Sequence, residues 1–235
     1  MMKTPIKMLH RSRVKVCGLT RHEDVKSSID CGVDALGFVF YLPSKRCLTA
    51  HQAAHLVEGL PAFVSTVALF VEPSVEMVKD VIDVMRPTVL QFHGAETPEF
   101  CRQFKMPYIK AVRVGAPELD SSDGLTDYCM QFQDASAWLF DSYTPAYGGS
   151  GHSFDRQLIV PLSQHSQARP ILISGGLTVE NVGESIDLLM PWGVDVSSGV
   201  EIAPGIKSAE KVNTFVQAVR FADIHSDSRR HGDKV

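Results

Sequence analysis

Val14-Lys15-Val16-Cys17-Gly18-Leu19-Thr20 reads as a strand running into a turn and a helix start, and it decides the fold both by what it contains and by what it lacks. Val14 and Val16 alternate with Lys15 and Cys17, the period of two that puts successive side chains on opposite faces of a strand. Thr20 with Glu23 three residues later matches a capping box. The turn does not carry the G-x-G-x-x-G spacing that brings backbone close to a dinucleotide pyrophosphate, so the main support for an open, doubly wound sheet is missing.

Seven further β-rich runs follow, near Ala35 to Phe40, Phe63 to Phe70, Thr88 to Phe92, Tyr108 to Val114, Ala137 to Asp141, Pro170 to Ser174 and Val194 to Ser197. Each precedes a longer amphipathic stretch. Thr49 with Gln52 forms a second capping box, and Thr97 before Pro98 places a cap ahead of a residue favoured in the first helical turn. Strand then helix, repeated, predicts a parallel sheet. Eight such units in 235 residues, with no large second half, predict an α/β protein of the (β/α)8 TIM-barrel class with one barrel domain over residues 13–222. Residues 1–12 read as an N-terminal extension and residues 223–235 as a polar tail in solvent.

Barrel enzymes carry their chemistry at the C-terminal ends of the strands. Valines toward the helices leave Lys15 and Cys17 facing inward, and the same parity puts Gln91 and His93, Asp141, and Asp195 with Ser197 inside the barrel. Strands one and eight become neighbours on closure, which predicts a buried Lys15–Asp195 ion pair beneath Cys17, because a lone interior lysine is costly. A charged Lys15 at that distance is expected to lower the Cys17 thiol toward competence as a base near neutral pH. Glycine-rich turns follow the late strands: Gly148-Gly149-Ser150-Gly151, Gly175-Gly176, and Ser198-Gly199. Such turns let N–H groups approach an anion closely, and the loops after strands seven and eight are the usual phosphate cradle of a barrel.

The runs Lys15-Val16-Cys17-Gly18-Leu19-Thr20, Gly37-Phe38-Val39-Phe40, Ser44-Lys45-Arg46, Gln91-Phe92-His93-Gly94, Phe140-Asp141-Ser142, Gly148-Gly149-Ser150-Gly151, Ser174-Gly175-Gly176-Leu177 and Val194-Asp195-Val196-Ser197-Ser198-Gly199-Val200-Glu201 resemble the successive signatures of the phosphoribosylanthranilate isomerase family. The resemblance runs from about Arg13 to Ala222 in family order. One departure is Phe92 where the family pattern has leucine; Phe92 faces the helices, so this touches packing and not chemistry.

The resemblance implies a cofactor-free Amadori rearrangement in tryptophan biosynthesis, with Asp141 as general acid and Cys17 as general base. It also implies that Arg46 holds the anthranilate carboxylate, a task suited to a planar fork. Gln91, His93, Arg113, Gly149, Gly151, Gly175, Gly176, Ser198 and Gly199 complete the expected substrate site. His93 has two readings, substrate positioning or a satisfied rim histidine. Arg46 reads also as a solvated loop charge, and Arg113 as a structural partner on the fifth strand. Two rival functions stand beside the first. The phosphoribosyl isomerase of histidine biosynthesis uses aspartates in both catalytic places, so Cys17 speaks against it. A catalytically silent barrel that binds a phosphate-bearing metabolite would need only the glycine turns.

Composition narrows the partners. A net charge of −4 supplies no basic surface for nucleic acid, and no run of about 18 apolar residues suggests a membrane span. Cys17, Cys31, Cys47, Cys101 and Cys129 form no C-x-x-C pair, and their odd number favours reduced thiols in the cytoplasm; the last four read as structural or incidental. No His spacing suggests a metal. The expected partner is a small phosphoribosyl compound, taken up by a monomer or homodimer.

Overall fold

The computed structural model describes residues 10–144 and 153–232. Eight parallel strands, β1 (Arg13–Cys17), β2 (Ala35–Phe40), β3 (Ser65–Phe70), β4 (Val89–Phe92), β5 (Tyr108–Val114), β6 (Ala137–Ser142), β7 (Ile171–Ile173) and β8 (Gly193–Val196), close into a barrel in sequence order. Around it lie α1 (His22–Asp30), α2 (Ala50–Leu56), α3 (Val75–Met85), α4 (Pro98–Arg102), α5 (Ser122–Met130), α6 (Val160–Ser163), α7 (Val182–Leu189) and α8 (Ala209–Gly232).

Strand parity sorts the side chains into a core under the helices and an interior of the barrel, where Cys17, Val39, Leu69 and Val71 form a further cluster at the mouth. Val14, Val16, Leu90, Phe92, Trp138, Phe140, Val194 and Val196 face outward and join the helices in the larger cluster. Inside the barrel, Val67, Ile109, Ala111, Ala137 and Leu139 pack together below a polar mouth. Phe92 packs among four other rings, 6.1 Å from Phe70, 5.8 Å from Phe100, 5.9 Å from Phe104 and 5.9 Å from Tyr108. Full burial of such a side chain stabilises by roughly 1.5–3 kcal/mol, and the stacked and edge-on rings add to that.

Two caps form as the spacing predicts. Thr49 and Gln52 make the reciprocal capping box of α2, and Thr97 accepts from the Phe100 N–H with Pro98 in the first turn of α4. Thr20 does not cap α1. That helix begins one residue later, after Arg21, and Thr20 Oγ1 donates instead to the Gly205 carbonyl at 2.6 Å. The third strand also starts later than its composition suggests, because Phe63 has a left-handed φ of 69° and is fully exposed.

The chain on either side of positions 12 and 223 is packed together. Ser12 and Asp223 are both buried, and Asp223 accepts from the Ser12 N–H and hydroxyl, each at 2.8 Å. Helix α8 runs on to Gly232, and Ser226 within it is buried and bonded to the Ala222 carbonyl. Polar composition alone reads as a solvated tail, but a buried partner from the other end of the chain satisfies these groups.

Candidate active site

At the C-terminal mouth of the barrel a cavity of about 350 Å³ is lined by Cys17, Arg46, His93, Asp141, Asp195 and Ser197, among others. Register places these side chains together. Lys15 lies opposite Asp195, Cys17 opposite Gly37, and Arg113 opposite Asp141.

The Lys15–Asp195 pair forms as expected, with Lys15 Nζ donating to Asp195 Oδ2 at 3.0 Å and both side chains nearly inaccessible. Burial alone would lower the Lys15 pKa, but Asp195 and Cys17 outweigh it and hold the ammonium above its usual range. Burial pushes Asp195 up, against the pull of Lys15. The expectation for Cys17 needs correction. Burial is the largest influence and raises the thiol above its ordinary value; Lys15 and Lys207 pull it down, while Asp195 adds to the rise. Lys15 therefore acts in the predicted sense but offsets only part of the desolvation.

Gly37 makes room for this group. A methyl added there would lie 2.8 Å from Cys17 Sγ and 3.1 Å from Lys15 Cε. Gly37→Ala is accordingly expected to destabilise by roughly 1–3 kcal/mol and to lower turnover about 10- to 100-fold by displacing the sulfur. Steady-state kinetics and a thermal melt check this; unchanged kinetics would mean that the position of Cys17 is not critical.

Asp141 belongs to a short polar chain. Gln91 Nε2 lies 3.1 Å from His93 Nδ1, and His93 Nε2 lies 3.1 Å from Asp141 Oδ2. With the Gln91 amide donating to Nδ1, Nε2 carries the proton that points at Asp141. Asp141 Oδ1 accepts from the Ser142 N–H at 2.8 Å, and Gly175, at φ +77°, leaves this side open: a methyl there would come within 2.5 Å of Ser142 Oγ and 3.0 Å of Asp141 Oδ1. Both readings of His93 find support, since it lines the cavity and is also hydrogen-bonded. Gln91 is fully buried behind His93 and does not line the cavity.

Arg46 reaches the cavity but is no free surface charge. Its Nε and Nη2 donate to Glu201 at 2.8 and 2.5 Å. Arg113 is not on the cavity wall; it donates to the Thr144 carbonyl, and its guanidinium carbon lies 4.7 Å from the centre of the Tyr143 ring, which fits the structural reading. The two late glycine turns meet. A methyl on Gly199 would lie 2.1 Å from the Leu177 carbonyl, directly after Gly175 and Gly176, and Ser198–Val200 form one 3-10 turn. Outside the bonds internal to helices and strands, no backbone carbonyl of the described residues accepts from the N–H groups of Gly176, Ser198 and Gly199. Gly149 and Gly151 lie outside the described residues.

Glu201 and Lys207 were given no role by sequence reasoning. They stand on a hairpin, β9 (Glu201–Ala203) and β10 (Ile206–Lys207), that folds over the mouth. The Pro204-Gly205 turn signal between them was the legible hint.

Comparison with known proteins agrees with the geometry. The family model described as N-(5'phosphoribosyl)anthranilate (PRA) isomerase matches residues 14–218. An N-(5'-phosphoribosyl)anthranilate isomerase of Bordetella parapertussis is 48% identical over 213 residues, covering 91% of this chain and 98% of its own. A crystal structure of phosphoribosyl anthranilate isomerase from Thermotoga maritima superposes with a TM-score of 0.81 at 38% identity, covering 89% of this chain and 99% of its own. A second isomerase structure, solved in complex with reduced 1-(o-carboxyphenylamino)-1-deoxyribulose 5-phosphate, gives a TM-score of 0.78 at 34% identity, with the same coverage of 89% and 99%. No helix among the described residues is long and apolar enough to cross a membrane. The closed barrel, the sulfur and carboxyl on one cavity and the match across nearly the whole domain converge on one assignment: the chain belongs to the N-(5'-phosphoribosyl)anthranilate isomerase family.

Proposed function

We propose that this chain converts N-(5-phosphoribosyl)anthranilate to 1-(2-carboxyphenylamino)-1-deoxyribulose 5-phosphate, the isomerisation step of tryptophan biosynthesis, using Asp141 as general acid and Cys17 as general base. The observation that carries this reading is that Cys17 and Asp141 line one cavity small enough for a single sugar phosphate to touch both. Asp141 gives a proton to the furanose ring oxygen as its bond to C1 breaks and the anilino nitrogen forms the C1=N bond. Cys17 then takes the C2 proton, the electron pair moves into an enolamine, and tautomerisation gives the ketone. Lys15, with Lys207, pulls the buried thiol toward the thiolate and offsets part of its desolvation.

Recognition divides between the two ends of the substrate. The turns of Gly175, Gly176, Ser198 and Gly199 suit the phosphate, and the part of the Arg46 fork not occupied by Glu201 suits the aromatic carboxylate. Asp195 lines the cavity and its Oδ1 is buried without a hydrogen-bond partner among the described residues, so this carboxylate suits a ribulose hydroxyl. The five free cysteines support a reducing, cytoplasmic setting, and the partner is a small phosphoribosyl compound acting on a monomer or homodimer.

The decisive experiment mixes purified protein with freshly made phosphoribosylanthranilate and follows loss of its fluorescence, with the corresponding histidine-pathway substrate as control. Turnover of the first and not the second is expected. Turnover of the histidine-pathway substrate alone, or of neither, overturns the proposal.

A further inference from the structure

The hairpin over the mouth carries a charge cluster that the reaction as described does not use. Lys207 Nζ, with a side chain fully removed from solvent, donates to the Cys17 carbonyl at 2.6 Å, to the Ser197 carbonyl at 3.2 Å and to Glu201 Oε1 at 2.8 Å. Glu201, itself buried, receives Arg46 through both carboxylate oxygens and the Gly205 N–H at 3.1 Å. Burial would raise its carboxyl, but the hydrogen bonds and charges of Arg46 and Lys207 prevail and hold it below the usual range. Arg46 and Lys207 thus share one carboxylate beside the cavity, and burial pushes the Lys207 ammonium below its usual range against the pull of Glu201.

Among the described residues, the Arg46 guanidinium has Glu201 as its hydrogen-bond partner. Arg46 belongs to the segment after β2, and its stem passes over Gly18, where a methyl would lie 2.3 Å from Arg46 Cδ. A long, rotamer-rich side chain recognises a planar carboxylate well only if its plane is set beforehand. Glu201 takes the Nε–Nη2 edge of the fork, so the remaining donors, on Nη1 and the far side of Nη2, are presented in one orientation. We propose that Glu201, held in turn by Lys207, is a positioning residue for substrate recognition, fixing the Arg46 guanidinium so that its open edge meets the aromatic carboxylate of the substrate. This rests on the proposed function. It adds that specificity is set by a hairpin outside the eight-stranded barrel.

Glu201→Gln turns one acceptor into a donor facing a donor, and Glu201→Asp keeps the charge but withdraws it by one methylene. Each is expected to raise KM for phosphoribosylanthranilate about tenfold with kcat changed less than about threefold, the mark of lost binding shared by ground and transition states. Binding of the reduced product analogue, read by calorimetry, should weaken about as much, while competitive inhibition by inorganic phosphate stays unchanged. In an Arg46→Ala background, Glu201→Gln should add almost nothing, since a coupled pair loses its interaction only once. A full effect in that background, equal weakening of phosphate, or wild-type kinetics in both variants overturns the inference. A wild-type chain that neither turns over the substrate nor binds the analogue overturns the proposed function as well, so the two failures are distinguishable.

Discussion

Cys17→Ala and Asp141→Ala are each expected to lower kcat/KM for phosphoribosylanthranilate by about 10²- to 10⁴-fold, the usual contribution of a positioned acid or base. Affinity for the reduced product analogue should stay within a few fold, because the proposed phosphate and carboxylate contacts are assigned to other residues. Fluorescence kinetics on the variants beside calorimetry with the analogue measures both quantities. The pairing also separates an enzyme from a silent phosphate-binding barrel, for which neither substitution would matter to any turnover. If turnover survives both changes, the assignment of acid and base is wrong.

The thiol adds a pH dependence with a definite sign. Burial outweighs Lys15 and raises Cys17 above the ordinary value of 9.0, so the base is protonated in the resting site and becomes available as pH rises. The limb of kcat/KM that reports this base in the free enzyme therefore ascends through neutrality and has not levelled at about pH 8. A plateau already reached below about pH 7 would show that the thiolate prevails in the empty site, and that Lys15 and Lys207 together outweigh desolvation.

Lys15→Met is the second large effect, and it acts on stability and chemistry together. Asp195 would be left buried without its partner, which costs about 3–5 kcal/mol when one member of such a pair is removed. The sign with pH follows from the carboxyl. Lys15 is the group that pulls Asp195 down against its burial, so in the variant Asp195 rises further and its protonation relieves the buried charge. The deficit should therefore be larger at about pH 8 than at about pH 5, as the variant gains relative stability on acidification. The wild-type ammonium, held above its usual value of 10.5, keeps its share of the stabilisation throughout that range and loses it only at higher pH. Urea titrations at the two pH values test this. A deficit independent of pH would mean that Asp195 is already neutral in the wild-type protein. Losing Lys15 also removes the strongest pull on the thiol, so alkylation of Cys17 should slow at a given pH.

How much of this was legible in the sequence depends on how local each property is. Alternation of valines with Lys15 and Cys17, of Leu90 and Phe92 with Gln91 and His93, and of Trp138 and Phe140 with Asp141 is a property of a few consecutive residues. A strand's geometry turns it directly into inside and outside. Eight such units with helices between them imply closure, and closure makes β1 and β8 neighbours, so even the Lys15–Asp195 pair could be read across 180 positions. Cys17 and Asp141 at the ends of their strands followed from the same reasoning.

The rest required knowing which loops meet above the mouth and how tightly each group is enclosed. Arg46 and Glu201 lie 155 positions apart, and no periodicity relates the segment after β2 to a hairpin after β8. Ser12 and Asp223 are polar and near the ends, so they read as solvated until packing brings them together and buries both. Thr20 had a capping pattern, but the Gly205 carbonyl took its hydroxyl. The Cys17 thiol shows the same division: the chain alone determined which charge lies beneath it, whereas the tertiary structure decided that desolvation, a sum over everything packed around the sulfur, is the stronger influence.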